Sequence, residues 1–530
     1  MKFSGKLVGL LLLGAGYAVA VGLMVRHVTQ ETRPDRVTIR VAQWQLEGGV
    51  RQAFAAMIRR YEQLNPRVHV ELISIPDRTY RQWAQTQLVG GEAPDIIEYS
   101  IDYNNVERYF APISDEVLKP NPYNRGTPLE GVPWRDTFLD AMANSDGFNV
   151  RLNQYYAATL TQHSMRLIYN RPMLREITGG DAPPTTYREF VALCARVEAY
   201  ARERHLTLAP LANSKDTVIG EAMFIFDSAS SAVAQRLDHR HVFGALTKEV
   251  ALDYLRGEWS FRDPEMRIGF ELLAELGRHS TPGFLQLSRD SALMDFVRGR
   301  TMMIVAPSWE ASSLKELCPF ELGAFRYPVP LQDDPAYGPR MLGPYADGRL
   351  ATLMAMYLNR QTRHRAEALD FLHFITSVEG NQIFTDVSTW LPAIVGVRPS
   401  AYSRQFLPIY NGYIWFIDGS FLNLSGDDAI AHVRNNFFRL WGPEGRAEAY
   451  AEALDAGLRP RILSDLTRNL TVQVQNLTGG DSAAGAAHMA AGPAGATAPL
   501  ALLPARLEGR TYQMLTVVHA EADKAGKAAP

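Results

Sequence analysis

An α/β fold built on an open sheet is what the N-terminal part of the chain predicts, on three observations. Strand-like runs fall at Val37–Trp44 and Val68–Ile75. Helical patterns follow each of them, at Gly49–Leu64 and Thr79–Val89. A third strand, within Ala93-Pro94-Asp95-Ile96-Ile97-Glu98-Tyr99, completes a β-α-β-α-β order. In such a sheet ligands bind beyond the carboxyl ends of the strands. That edge is where the order assigns Trp44, Tyr99 and Asp102. No nucleophile, phosphate loop or metal cluster accompanies them, so a binding cleft is expected rather than a reaction centre.

The chain has 530 residues, too many for one core, and two or more domains are expected. Apolar content of 46% and charged content of 21% are those of a globular protein. A net charge of -3 and the lack of a long basic run give nucleic acid no role. Cys194 and Cys318 are the two cysteines; neither has metal-ligand spacing, and their pairing is open.

The N-terminus reads as an export segment. Lys2 and Lys6 precede an apolar run from Leu7 to Val25, closed by Arg26. At 1.5 Å per residue the run is roughly 28 Å long, near the thickness of a bilayer core. Ala18-Val19-Ala20 offers a cleavage site, yet the run continues past it. Cleaved signal and uncleaved anchor both remain open, with residues 7–25 as the membrane contact. Either way the body is expected outside the cytoplasmic membrane, periplasmic or extracytoplasmic. Residues 26 to 36 read as a polar linker.

Further along, a strand pattern falls at Met165–Asn170. In Pro183-Pro184-Thr185-Thr186-Tyr187-Arg188-Glu189-Phe190, Thr185 or Thr186 caps a helix whose first turn holds Glu189. Helical patterns continue over Val218–Ser231, Lys248–Leu255, Pro264–His279 and Asp290–Arg298. The apolar run Met302–Ala306 predicts a strand buried on both faces. Strand-like runs recur at Leu322–Val329 and Leu350–Leu358, and an amphipathic helix at Arg365–Thr376. Residues 429–470 look largely helical. From 479 to 530 small residues dominate, which predicts a mostly disordered tail with an apolar island at Tyr512–Val518 able to dock.

Several of these pieces, in their order, resemble the bacterial extracellular solute-binding proteins of sugar-importing ABC transporters, the group that includes maltose-binding protein. The resemblance rests on Trp44 with Asn65-Pro66; Gly90-Gly91-Glu92-Ala93-Pro94-Asp95-Ile96; Leu167-Ile168-Tyr169-Asn170; and Pro183–Phe190. It continues through Phe296–Ile304, Ser308-Trp309-Glu310, Tyr327-Pro328-Val329-Pro330, Ala366–Leu372, Thr376–Gly380 and Leu391-Pro392-Ala393. It implies a two-lobed periplasmic-binding-protein fold (type II). Each lobe would be a mixed sheet flanked by helices, joined by hinge crossings. By position, lobe 1 would be residues 37–162 and 332–391, and lobe 2 residues 163–331 and 392–478. The implied function is to capture a small solute, a sugar or oligosaccharide, and deliver it to membrane permease subunits. A monomer without cofactor, metal or catalytic residues is expected.

A sugar offers apolar C–H faces to aromatic rings and hydroxyls to carboxylates, amides and Arg. Trp309 follows the apolar strand where the family often places a stacking aromatic. Tyr99 and Asp102 correspond to positions where relatives use an aromatic ring and a carboxylate. Trp44 and Glu47 lie in the first strand-to-helix loop; Glu47 either accepts hydroxyl protons or favours the helix N-terminus. His163 stands where maltose-binding relatives carry a carboxylate, a departure from maltose recognition. Tyr345, Trp390 and Trp415 are further aromatic candidates. Asp95 reads as a structural cap. Two other functions stay open: a membrane-tethered sugar-sensing receptor, and a secreted carbohydrate-active enzyme, which would need a facing pair of carboxylates.

Overall fold

A computed structural model describes residues 36–99, 106–144, 146–149, 152–239, 247–347, 352–412, 421–422, 424, 426–442, 445–491, 514 and 516–520. The apolar run 7–25, Asp102 and Trp415 lie outside these residues. Among the described residues no helix is long and apolar enough to cross a membrane.

In chain order the strands of the two main sheets are β1 (Val37–Gln43), β2 (Val68–Ser74), β3 (Ile96–Glu98), β4 (Ala157–Gln162), β5 (Met165–Asn170), β6 (Ala209–Ala212), β7 (Thr301–Pro307), β8 (Leu322–Phe325), β9 (Thr352–Leu358) and β10 (Leu391–Pro392). The helices that matter here are α1 (Val50–Leu64), α2 (Asp77–Gly90), α3 (Tyr187–Glu203), α4 (Thr217–Arg236), α5 (Thr247–Arg256), α6 (Pro264–Arg278), α7 (Arg365–Ile375), α8 (Val378–Ser388) and α9 (Ala447–Ala491). The chain divides into two compact units: 1–164, 308–313 and 350–407; and 165–307, 314–349 and 408–530.

The first unit carries the sheet β10-β4-β9-β3-β1-β2. Strand β1 runs parallel to β2 and β3, and β9 is antiparallel to β3 and β4. Alternation of side chains sorts the residues onto two faces. Ile39, Val41, Ile96 and Met356 pack with Phe54 and Met57 of α1, whereas Ala42, Ile97 and Tyr357 pack with Tyr80 and Ala84 of α2. The α1 and α2 crossovers therefore cover opposite faces. Asp95 is structural: its Oδ2 accepts the Arg40 N–H at 2.7 Å, and its Oδ1 accepts the Thr362 hydroxyl. Strand β10 is tied to the sheet by Asn381, which is fully buried. Its Nδ2 donates to Leu160 O at 2.8 Å and its Oδ1 accepts from Ala393 N at 3.1 Å.

The second unit holds the sheet β8-β5-β7-β6, mixed rather than parallel, since β7 is parallel to β6 but antiparallel to β5. Every residue of β7 is buried. Thr186 and Glu189 form a capping box at the start of α3. Gly269 lets α6 approach α4; a Cβ there would lie 2.6 Å from the Phe226 ring. Tyr450, Leu454, Leu458, Ile462, Leu466 and Leu470 form an i+4 stripe along α9 and are buried in the same core. Cys194 and Cys318 are both free and buried, with the Cys318 thiol pushed up to about 11 by burial.

The structure corrects the sequence expectation at several boundaries. Residues 332–349 belong with the second unit, because Tyr337, Met341 and Tyr345 pack on its core and Asp347 pairs with Arg166. Residues 392–407 belong with the first, where Pro392 pairs with Thr161 and Ser403 donates to Thr389 O at 2.8 Å. The 308–313 turn also belongs there, its Ser308 N–H donating to Ser164 O at 2.9 Å. The expected disordered tail starts too early: α9 runs past residue 478 to Ala491, through Gly479, Gly480 and Gly485 and into an Ala-rich end. Val518, in the apolar island, is fully buried against the second core.

Two substitutions test these ties. Asp347 accepts from Arg166 Nη2 at 2.9 Å and from Ile409 N at 2.7 Å, with the two side chains 1% and 4% exposed. Asp347→Ala removes the carboxylate paired with a buried guanidinium and is expected to cost about 3–5 kcal/mol, read from urea unfolding of the purified chain. Asn381→Ala leaves a buried carbonyl and amide unpaired and is expected to cost about 2–4 kcal/mol by the same measurement.

Candidate functional site

Strand β1 sends the chain to β2 on one side and, after α2, to β3 on the other, so β1 and β3 flank a switch in strand order. Ligands of open α/β sheets bind at such a point, outside the carboxyl ends. Those ends carry Gln43 and Glu98, followed by Trp44 and Tyr99. Glu98 is level with Met356 of β9, which in turn is level with Ala158 of β4. Strand β4 continues four residues further, to Gln162, about 13 Å at strand rise. The edge is therefore stepped, with Trp44 and Tyr99 on the shelf and His163 following the end of the taller strand.

Trp44 stands half-buried on the α2 face. Its ring meets that of Tyr80 at 5.0 Å, and Tyr80 meets Trp83 at 5.6 Å. Tyr99 packs on the same face, 5.6 Å from the Phe110 ring. The Tyr80 hydroxyl is buried without a hydrogen-bond partner, and burial raises its pKa.

Glu98 is fully buried at the switch. Its Oε1 accepts from Gln45 Nε2 at 2.7 Å and its Oε2 from Trp44 N at 3.2 Å. Burial pushes its carboxyl from 4.5 up to about 8, against those two hydrogen bonds and with the charges of Glu47 and Asp77 adding to the rise. Glu47 is half-buried, and its pKa is raised first by burial and then by Glu310. Its Oε2 is buried and receives no hydrogen bond. Gly49, which starts α1, has φ 87°, and a Cβ there would lie 2.8 Å from Val387 O. Only glycine fits that approach, which fixes the loop carrying Glu47.

The second aromatic group is Trp309 with His163. Their rings meet edge-on at 5.2 Å. The turn that carries Trp309 is tied to the residue after His163 in both directions: besides the Ser308 N–H bond, Ser308 Oγ accepts from Ser164 N at 3.2 Å. Trp309 packs against the core on the α1 face, opposite to that of Trp44 and Tyr99. The next residue, Glu310, raises the Glu47 pKa, which puts this turn beside the Glu47 loop.

The structure thus brings Trp44, Glu47, Tyr99, Trp309 and His163 to one edge of one sheet. Two other candidates go elsewhere. Tyr345 is 1% exposed in the second unit's core, under the Arg326 guanidinium at 4.1 Å from its ring centroid. Trp390 is 2% exposed and packs on Phe384 in the first unit's core. Thr389 ends α8 with φ 60°, and that left-handed turn directs Trp390 inward. Sequence reasoning passed over Glu98, Gln45 and Tyr80. A lone carboxylate ending the apolar strand Ile96-Ile97-Glu98 was the available signal.

The edge offers flat rings and mutually crowded carboxylates that can exchange hydrogen bonds with a hydroxyl-rich solute. Glu98 titration gives a test. A carboxyl that stays protonated in the folded chain binds a proton that the unfolded chain has lost, between pH 4.5 and about 8. Stability is therefore expected to fall as pH rises through that window, by up to about 1.4 kcal/mol per unit. Urea unfolding across this range should show that slope, and Glu98→Gln should flatten it.

A family model described as bacterial extracellular solute-binding protein matches residues 56–405. A multiple sugar-binding protein of Streptococcus mutans is 23% identical over 402 residues, 74% of this chain and 84% of its own. Among solved structures, apo RafE of Streptococcus pneumoniae superposes with a TM-score of 0.57 at 16% identity, over 81% of this chain and 98% of its own. RafE in complex with raffinose gives 0.53 at 18% identity, over 80% and 100%. The GacH receptor of Streptomyces glaucescens, whose structures include complexes with acarbose, gives 0.54 at 14% identity, over 80% and 98%.

Proposed function

The chain belongs to the bacterial extracellular solute-binding protein family, and from that premise we propose that it captures a sugar or oligosaccharide outside the cytoplasm and delivers it to the permease of an ABC importer. The observation that carries the reading is the stepped edge of the first sheet. There Trp44 and Tyr99 stand at the switch in strand order beside Glu98 and Glu47, with His163 at the end of β4 and Trp309 in the turn that meets it. Rings suit the C–H faces of a pyranose. The buried oxygens of Glu47 and Tyr80, with no partner of their own, suit its hydroxyls. A hydroxyl left unpaired in such a place costs about 1–3 kcal/mol, which is the basis for choosing among sugars.

The family is one of binding proteins, and we read the chain as a carrier without catalysis; steady turnover of chromogenic glycosides by the purified chain would overturn that. The apolar run 7–25 supports export of the body. N-terminal sequencing of the membrane-extracted protein separates a tether, starting at Met1, from a released carrier, starting near Val21.

A thermal-shift panel of mono- and oligosaccharides tests ligand class. A sugar at about 100 times its Kd stabilises the folded chain by about 2.7 kcal/mol. For the sugar that shifts the transition, Trp309→Ala is expected to weaken binding by about 2–4 kcal/mol by calorimetry. An unchanged Kd would remove Trp309 from the site, and a panel without any shift would remove sugars as the ligand class.

A further inference from the structure

The ends of α4 and α5, in the second unit, bring together His239, Asp253 and Glu258. Helix α5 stops at Arg256, and Gly257 turns the chain with φ 80°. Glu258 N donates to Asp253 O and Gly257 N to Tyr254 O, both at 3.0 Å. That pair of bonds is a Schellman turn, and it folds the Glu258 backbone onto that of Asp253. Trp259 secures the exit, its Nε1 donating to Val250 O at 2.8 Å. Beyond the end of α4, His239 directs Nε2 to both carboxylates, 3.3 Å from Asp253 Oδ2 and 3.2 Å from Glu258 Oε2.

The three ligand atoms lie within 4.8 Å of one another. Metal–ligand bonds of about 2.0–2.1 Å at tetrahedral angles separate ligand atoms by about 3.4 Å, close to the two His239 distances. Asp253 is the second observation. Its side chain is 2% exposed, and Oδ2 is buried and receives no hydrogen bond. Arg256 Nη1 holds the other oxygen, Oδ1, at 3.3 Å, which leaves Oδ2 facing the imidazole and Glu258. Arg256 already places one cation on this carboxylate, and a metal ion would place a second on the oxygen that receives no hydrogen bond. His239 and Glu258 are 55% and 40% exposed, so the ion has a route in and water has room for the remaining position.

We propose that His239, Asp253 and Glu258 bind a divalent transition-metal ion, zinc being the probe, which clips the end of α4 to the end of α5. One imidazole and two carboxylates suit zinc better than calcium, which takes six to eight oxygens. The site is independent of the sugar-binding reading.

The test is calorimetric titration of zinc into the chelator-treated full chain. One equivalent is expected to bind and to raise Tm; His239→Ala and Glu258→Gln are each expected to weaken it about tenfold or more. Both side chains are substantially exposed, and a far-ultraviolet spectrum matching the parent's establishes that the variants fold. Zinc binding unchanged in both variants places the ion at other residues and overturns the proposal. So does an absence of binding in the parent chain, or a preference for calcium over zinc.

Discussion

Parallel strands β1 and β3 stop at the same level, and the helices that serve them leave on opposite faces of the sheet. The backbone beyond their ends cannot continue the ladder and must be satisfied by side chains. Glu98 does this from inside the protein, taking the Trp44 amide and the Gln45 carboxamide. Three consequences meet there. The first loop is held in place, the Trp44 ring is presented at the edge, and a carboxyl sits where burial raises its pKa. Such perturbed groups concentrate at functional sites, because the geometry that unsettles an ionisable side chain also leaves it capacity to bind.

Around that point the unit is built to be rigid. Gly49 admits the end of α8 within a distance that a Cβ would forbid, and Asn381 ties β10 to β4. Ser164 and Ser308 bond each other reciprocally and so hold Trp309 against His163. Rings on rigid supports lose little conformational freedom when a ligand arrives, which leaves more of the contact energy for affinity.

The second unit solves a different problem. Its core is dominated by helices, and the cost of burying charge within it is met by a partner distant in sequence. Arg166 faces Asp347 on the inside, and Thr186 with Glu189 closes the start of α3. The same rules that satisfy helix ends also juxtapose His239, Asp253 and Glu258. A Schellman turn needs only the glycine at 257, yet it sets two carboxylates side by side.

Strand and helix periodicity, the Thr186 cap and the structural role of Asp95 were legible in the residues, because each depends on neighbours close in sequence or on a repeating pattern. The aromatic candidates were only half legible. Trp44, Tyr99 and Trp309 follow strand ends, and a strand end has a knowable place in an α/β sheet. Tyr345 and Trp390 follow turns, and a turn points its next side chain inward or outward according to one backbone angle, as the φ of 60° at Thr389 does. The raised pKa of Glu98 was decided by tertiary structure alone, since it comes from burial and its hydrogen-bond partners, Trp44 and Gln45, lie more than fifty residues away in sequence. So was the meeting of His239 with Asp253 and Glu258, whose spacing follows no metal motif. Sequence by itself determined the strands and helices of the first β-α-β-α-β segment and several later elements, though not β4, β6, β10 or α8. Which side chains end at one place was decided only by the packing of distant segments, because burial and proximity are properties of neighbours that the chain order does not name.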